Sequence, residues 1–235
     1  MEKRIIFTPE TVTTQIALLR QNYPAMEVVH TDSSSVHLHG RLHIHRSYQG
    51  FVLNQTYTVD IHIPVNSERI PFVVDTEGAI SPKYQHRYSD GMLCLETDAQ
   101  IRMRFIDGFD LSAWIFEYVE VYYLSYEYYN RYGEFPFGER AHGYAGILQS
   151  FQEHLSTNDL VTTYKLMRYI ARHPYRGHAP CPCGSGQKLR NCHGQPALTF
   201  YHDDRLRQIL QRELNAIEKE LESTYEQHRN QSTSK

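Results

Sequence analysis

Cysteine and histidine at short, fixed spacing carry the clearest chemistry in the chain. Cys181-Pro182-Cys183 is followed, after an eight-residue loop containing Gly184 and Gly186, by Cys192-His193. Three thiolates and one imidazole are a complete donor set for a tetrahedral Zn²⁺ ion. They leave no open coordination position, so the expected role is structural. The two glycines allow the tight turn that returns Cys192 and His193 to the first pair. Four such ligands can supply on the order of 10 kcal/mol of folding free energy to a segment with little core of its own. The fourth cysteine, Cys94, stands apart. It lies in Gly91-Met92-Leu93-Cys94-Leu95-Glu96, just after Asp90, and His86 precedes it by eight residues. A thiol at the end of an irregular segment, with an imidazole nearby in sequence, is a candidate nucleophile. A small buried hydrophobe between Met92, Leu93 and Leu95 is the competing reading.

Histidines supply a third set of donors. Val36, Leu38, Leu42 and Ile44 alternate with His37, His39, Arg41, His43 and His45, which is the period of a half-buried strand. Histidines at two-residue spacing are capable of holding a transition metal. No carboxylate or cysteine lies among these four, so a solvated or partner-facing surface is the expectation.

Length and composition bound what these residues serve. The chain has 235 residues, enough for one full domain with a smaller appendage. Its formal net charge is −3 with histidine neutral, which creates no overall field for nucleic acid or membrane. No apolar run approaches the ~20 residues of a membrane helix. Met1-Glu2-Lys3-Arg4-Ile5-Ile6-Phe7 lacks the apolar stretch of a signal peptide. The expected compartment is therefore the cytoplasm, where thiols stay reduced and a cysteine cluster is a metal site rather than a disulfide framework.

The elements that must position these groups follow from pattern. Thr8-Pro9-Glu10 is a helix start, with Val12, Ile16 and Leu19 at helical spacing and a stop at Asn22-Tyr23-Pro24. After the histidine strand, residues 52–64 read as another strand and Phe72-Val73-Val74 as a third. Connections this short make an antiparallel meander. Asp110 opens a helix rich in aromatic residues from Trp114 to Tyr129; further helices are expected near 147–155 and 159–171. Leu206, Leu210, Leu214, Ile217 and Leu221 stripe a last helix that starts at Asp203-Asp204. Helices packed on one antiparallel sheet make the fold class α+β.

Two resemblances sharpen this reading. Cys181 to Gly194 resembles the SEC-C motif, named for the C-terminal tail of the SecA translocation ATPase, and every element of that pattern is present. Separately, the order helix, meander, extended segment with cysteine, helices resembles the ubiquitin-conjugating enzymes. In those enzymes a glycine stands three residues before the catalytic cysteine, and a leucine then an acid follow it, as Gly91, Leu95 and Glu96 do here. The resemblance implies a transferase that holds a protein C-terminus as a thioester on Cys94 and passes it to an amine. It places His86 where the eukaryotic enzymes carry the asparagine of a His-Pro-Asn tripeptide; the tripeptide itself is absent. An imidazole can also donate a hydrogen bond there. Pro136 to Ile147, containing His142, is similar to a segment of the bacterial branch. That branch includes conjugating proteins of CBASS antiphage operons, which implies a protein substrate or ubiquitin-like modifier as partner, and a cGAS-like nucleotidyltransferase as target.

The implied organisation is a ubiquitin-conjugating-like catalytic domain at 1–150, a helical connector at 151–178, the zinc knuckle at 179–196, and a C-terminal helix with a frayed tail at 197–235. Expected site residues are Cys94, His86 and His142 for catalysis, and Cys181, Cys183, Cys192 and His193 for structural Zn²⁺. Glu96 or Asp98 is placed to receive an incoming lysine, or is simply a solvated turn. The alternative is a catalytically inactive adaptor of the same fold that binds partners through its knuckle. A cysteine hydrolase using Cys94 and His86 is a third reading, weakened because no third, orienting residue presents itself.

Overall fold

A computed structural model describes residues 7–139, 141 and 143–232, with side chains as far as Tyr225. Helix α1 (Pro9–Asn22) starts at Thr8, whose hydroxyl accepts from the Thr11 amide while Thr11 accepts from the Thr8 amide at 2.8 Å. It buries Val12, Ile16 and Leu19, as its spacing predicts. Four strands follow: β1 (Met26–Thr31), β2 (Ser35–Tyr48), β3 (Phe51–Pro64) and β4 (Phe72–Val74). They form one antiparallel sheet in the order β1-β2-β3-β4, the expected meander. An extended segment from Asp75 to Thr97 leads to helix α2 (Asp98–Arg104). Then come α3 (Leu111–Trp114), a π-turn (Ile115–Val119) and α4 (Glu120–Tyr132), in immediate succession. Helices α5 (Gly143–Gln152), α6 (Leu160–Arg172), α7 (Gly194–His202) and α8 (Asp204–Ser232) complete the α+β architecture. No described helix is long and apolar enough to cross a membrane.

Contacts divide the chain into two compact units. The first holds the described residues up to Glu96 together with Phe105–Glu139. Its core lies on one face of the sheet, where Leu38, Leu42, Ile44, Val59, Ile61, Ile63 and Val73 are fully buried, along with Trp114, Ile115, Val119 and Tyr123 from the helical run. Tyr57 stacks on Tyr123 at 4.1 Å. Glu120 is buried in this unit, yet it is satisfied: Tyr23 donates to one carboxylate oxygen at 2.7 Å and Arg46 to the other at 2.8 Å. Burying that carboxylate without such partners would cost several kcal/mol, on the order of 3–5.

The second unit takes Thr97–Arg104 and the described residues after Glu139. Its centre is α8, whose Leu210, Leu214 and Ile217 are fully buried, while Leu221 at the far end of the expected stripe is exposed. Phe151, Leu166, Met167, Ile170, Leu189 and Phe200 fill the space around them. The division at residues 150, 178 and 196 read from the sequence does not coincide with these units. Helix α5 begins at Gly143, α6 lies within the span read as a connector, and Leu189 of the knuckle is buried in the same unit as both. Apolar faces on α5, α6 and α8 have to be buried against something, and they cover one another.

Candidate functional site

The knuckle is built by a turn and a short helical coil. The Cys181 amide donates to the Gln187 carbonyl at 2.8 Å, and Gly184 to the Cys181 carbonyl at 3.1 Å. Gly184 and Gly186 sit at φ +85° and +76°, backbone that a side chain would strain. A single 3₁₀ turn (Leu189–Asn191) then lifts the chain so that Cys192 and His193 face the first two cysteines. His193 precedes α7, and its carbonyl accepts from the Ala197 amide at 3.1 Å. Leu189 anchors the turn in the core of the second unit.

The four ligand atoms lie within 4.8 Å of one another. Cys181 Sγ to His193 Nδ1 is 3.3 Å, Cys192 Sγ to His193 Nδ1 is 3.2 Å, and Cys183 Sγ to Cys192 Sγ is 3.6 Å. With Zn–S near 2.3 Å and Zn–N near 2.1 Å, the edges of a zinc tetrahedron are about 3.8 Å for S···S and about 3.5 Å for S···N. The residues therefore fit Zn²⁺, with Nδ1 as the histidine ligand. As a closed set of four they would hold the fold around an ion and offer substrate no coordination position. The Cys183–Cys192 separation is far beyond the ~2.05 Å of a disulfide. Burial pushes the Cys181 thiol up to about 11. Burial also opposes ionisation of Cys183, but hydrogen bonds from Ser185, through its hydroxyl and its amide, and from the neighbouring cysteines outweigh it and bring Cys183 down to about 6. Ser185 donates from its amide to Cys183 Sγ at 3.4 Å and lies 3.5 Å from Cys192 Sγ through its hydroxyl. Two of the basic residues upstream of the knuckle already have a partner within their unit, since Arg168 and Arg172 both reach Glu218.

Cys94 belongs to the first unit, on a narrow hairpin. The Tyr88 amide donates to the Met92 carbonyl at 2.9 Å and the Gly91 amide to Tyr88 at 3.0 Å, closing a turn around Asp90. One step back along both arms, the Cys94 amide donates to the His86 carbonyl at 2.8 Å. Residues eight apart in sequence are thus cross-strand neighbours. The same His86 carbonyl accepts from the Tyr122 hydroxyl at 3.1 Å, and the Tyr126 hydroxyl accepts from the Ser81 amide at 3.0 Å. Two tyrosines of the aromatic-rich helix α4 thus pin the extended segment through their hydroxyls. The His86 ring packs edge-on against Phe135 at 5.2 Å and against Tyr84 at 5.5 Å.

The hairpin is fixed from behind. Asp75, fully buried at its carboxylate, accepts from the amides of Ala79 and Ile80 and pairs with Arg87 at 3.3 Å. Gly91 has φ +88°, and an added Cβ would lie 3.1 Å from the Asp75 carbonyl oxygen. The Leu93 amide donates to Val73 of β4 at 2.9 Å. These contacts leave Cys94 half-buried, with the Tyr88 hydroxyl donating to its Sγ at 3.6 Å. Burial raises the thiol pKa above its ordinary value; the Tyr88 hydrogen bond pulls it down and the charge of Glu96 pushes it up. Asp98 opens α2 in the second unit and pairs with Arg102 at 3.5 Å. His142 lies outside the described residues. Sequence reasoning missed Asp75, Arg87 and Tyr88; a tyrosine six residues before a cysteine carries no pattern of its own.

Residues 179–195 match the SEC-C motif family, so the knuckle is a SEC-C motif whose cluster is compatible with zinc binding. No curated protein and no solved structure matches the chain.

Proposed function

We propose that the first unit is a ubiquitin-conjugating-like transferase and that Cys94 carries a protein C-terminus as a thioester. Support comes from the order of elements: α1, the β1–β4 meander, an extended segment with a cysteine after β4, then helices on the sheet. The observation that carries the reading is the hairpin that sets Cys94 beside His86, with the thiol half-buried and a hydroxyl on its sulfur.

In the first step the Cys94 thiol gives up its proton and its sulfur bonds the acyl carbon of a thioester held by an activating partner. The partner's C–S bond breaks, and its thiol leaves with a proton. In the second step a neutral amine attacks the same carbon, a C–N bond replaces the C–S bond, and the amine's proton passes to the Cys94 sulfur. The developing oxyanion needs a donor, and the His86 imidazole and Tyr88 hydroxyl are the candidates on this hairpin. The knuckle takes no part in these steps. The acceptor we propose, by resemblance to the CBASS-associated branch, is a cGAS-like nucleotidyltransferase.

One observation favours the adaptor reading instead: burial holds the Cys94 thiol above its ordinary pKa, so little thiolate is present at neutral pH. A single experiment separates the two. Given an activated donor, the transferase forms an adduct that thiol reductants remove, Cys94→Ser traps a reductant-resistant ester, and Cys94→Ala forms none. Full cellular function of Cys94→Ala would sink the transferase and leave the adaptor.

A further inference from the structure

The histidines of the sheet are brought together across the strands rather than along one. Same-side residues on one strand stand about 6.8 Å apart, whereas neighbours across a sheet stand about 4.8 Å apart. Register places His30 of β1 opposite His37 of β2, His37 opposite His62 of β3, and His62 opposite Phe72 of β4. The four rings make one row on the sheet face opposite the apolar core. His62 Nδ1 and His37 Nε2 are 3.1 Å apart, and the His30 and His37 ring centroids are 5.2 Å apart. Phe72 stacks flat on His62 at 4.9 Å and fixes its plane.

We propose that this row holds a second metal site, in which His37 Nε2 and His62 Nδ1 bind a late first-row divalent ion as its two protein ligands. Two imidazole nitrogens about 2.1 Å from one ion, at angles of 90–110°, lie ~3.0–3.4 Å apart, and the observed separation falls in that range. Imidazole donors without thiolates suit Ni²⁺, Cu²⁺ or Zn²⁺. Before metal arrives, one ring donates its N–H to the other's lone pair. Ligation by both needs only that the donating ring move its proton to its far nitrogen, so two neutral rings bind the ion without net proton release. Ser35 Oγ lies 3.3 Å from His37 Nε2, at the rim of the same position. His30 is exposed, and Asp32 lies 3.1 Å from its Nε2. His30 stands at the end of the row, outside the pair that holds the ion. One row along, His39 lies 3.0 Å from Asp60, which also accepts from Thr76; that pair is closed on itself.

The test is calorimetric titration of the full-length, zinc-loaded protein with Ni²⁺, with zinc content measured before and after. The expected result is uptake of about one Ni²⁺ per chain with no loss of zinc. His37→Ala and His62→Gln should each weaken it by more than the ~10–100-fold that an outer partner is worth. His43→Ala/His45→Ala, on the same strand but outside the row, should leave it unchanged. Circular dichroism of each variant establishes that it is folded before titration, and uptake by the unaltered protein is decisive on its own. No uptake, uptake matched by zinc loss, or uptake indifferent to His37 and His62 would each overturn the site.

Discussion

Asp75 and Arg87 meet at 3.3 Å beneath the hairpin that presents Cys94, with the carboxylate fully buried and the guanidinium nearly so. Asp75 closes the first turn of the extended segment through Ala79 and Ile80, and Arg87 follows His86 directly in the chain. One ion pair therefore ties the start of the irregular segment to its end. Removing either partner strands a buried charge, which typically costs ~3–5 kcal/mol. Asp75→Ala and Arg87→Ala should each lower the denaturant midpoint of the first unit substantially, and the double variant should cost clearly less than their sum. Strict additivity in that cycle would show that the two charges do not act together.

Gly91 is the other fixed point. Its positive φ costs a residue with a Cβ about 1–2 kcal/mol, and the added methyl would press on the Asp75 carbonyl oxygen at 3.1 Å, tighter than ordinary contact. Gly91→Ala should destabilise by at least that amount, and Asn, which tolerates left-handed backbone better, should not rescue it because the contact remains. A Gly91→Asn protein as stable as wild type would dismiss the steric argument.

How far the sequence predicted this arrangement depended on whether a residue's role was local. The cap at Thr8, the alternation of β2 and the knuckle ligands are set by neighbours in the chain, so spacing revealed them. Strand β1 was not legible because it lies at the sheet edge: only Met26 is buried, and Val28 and Val29 face solvent. The row of His30, His37 and His62 was not legible because His30 and His62 join His37 only through strand register, which no single run of residues displays. Asp75 and Arg87 are twelve apart on an aperiodic segment, and only the folded hairpin makes them partners.

For the knuckle, purified protein never exposed to chelator should carry about one Zn²⁺ held by Cys181, Cys183, Cys192 and His193, and elemental analysis that finds none would refute the assignment. Chelation should increase hydrogen exchange at Cys181 and Leu189, whose amides close the turn, and leave β2 and β3 protected. Equal loss of protection in the sheet would mean that the metal supports more than its own unit.

His86→Ala isolates the imidazole, because the carbonyl that holds Cys94 is main chain and survives the substitution. Loss of ring contacts with Tyr84 and Phe135 should cost about 0.5–1.5 kcal/mol. If the imidazole donates to the oxyanion, single-turnover discharge of the thioester should slow ~10²–10³-fold. An unchanged rate would remove His86 from the mechanism and leave it as packing for the hairpin.

The last prediction concerns the thiol itself. Burial is the largest influence on Cys94 and raises its pKa; the Tyr88 hydroxyl opposes this by hydrogen bonding the sulfur, and the Glu96 charge adds to it. Since the thiolate is the nucleophile, alkylation of Cys94 should rise with pH along a curve displaced above that of a free cysteine. Tyr88→Phe removes the bond that favours the thiolate, so the curve should move further up. A neutral hydrogen bond at a half-exposed tyrosine is worth ~0.5–1 kcal/mol, so alkylation at neutral pH should slow about two- to fivefold. Glu96→Gln removes the repelling charge and should move the curve the other way. Mass spectrometry of the Cys94 peptide measures both. If Tyr88→Phe speeds alkylation, the hydroxyl shields the sulfur from reagent more than it stabilises the thiolate. In the proposed transfer its effect would then be steric rather than electrostatic.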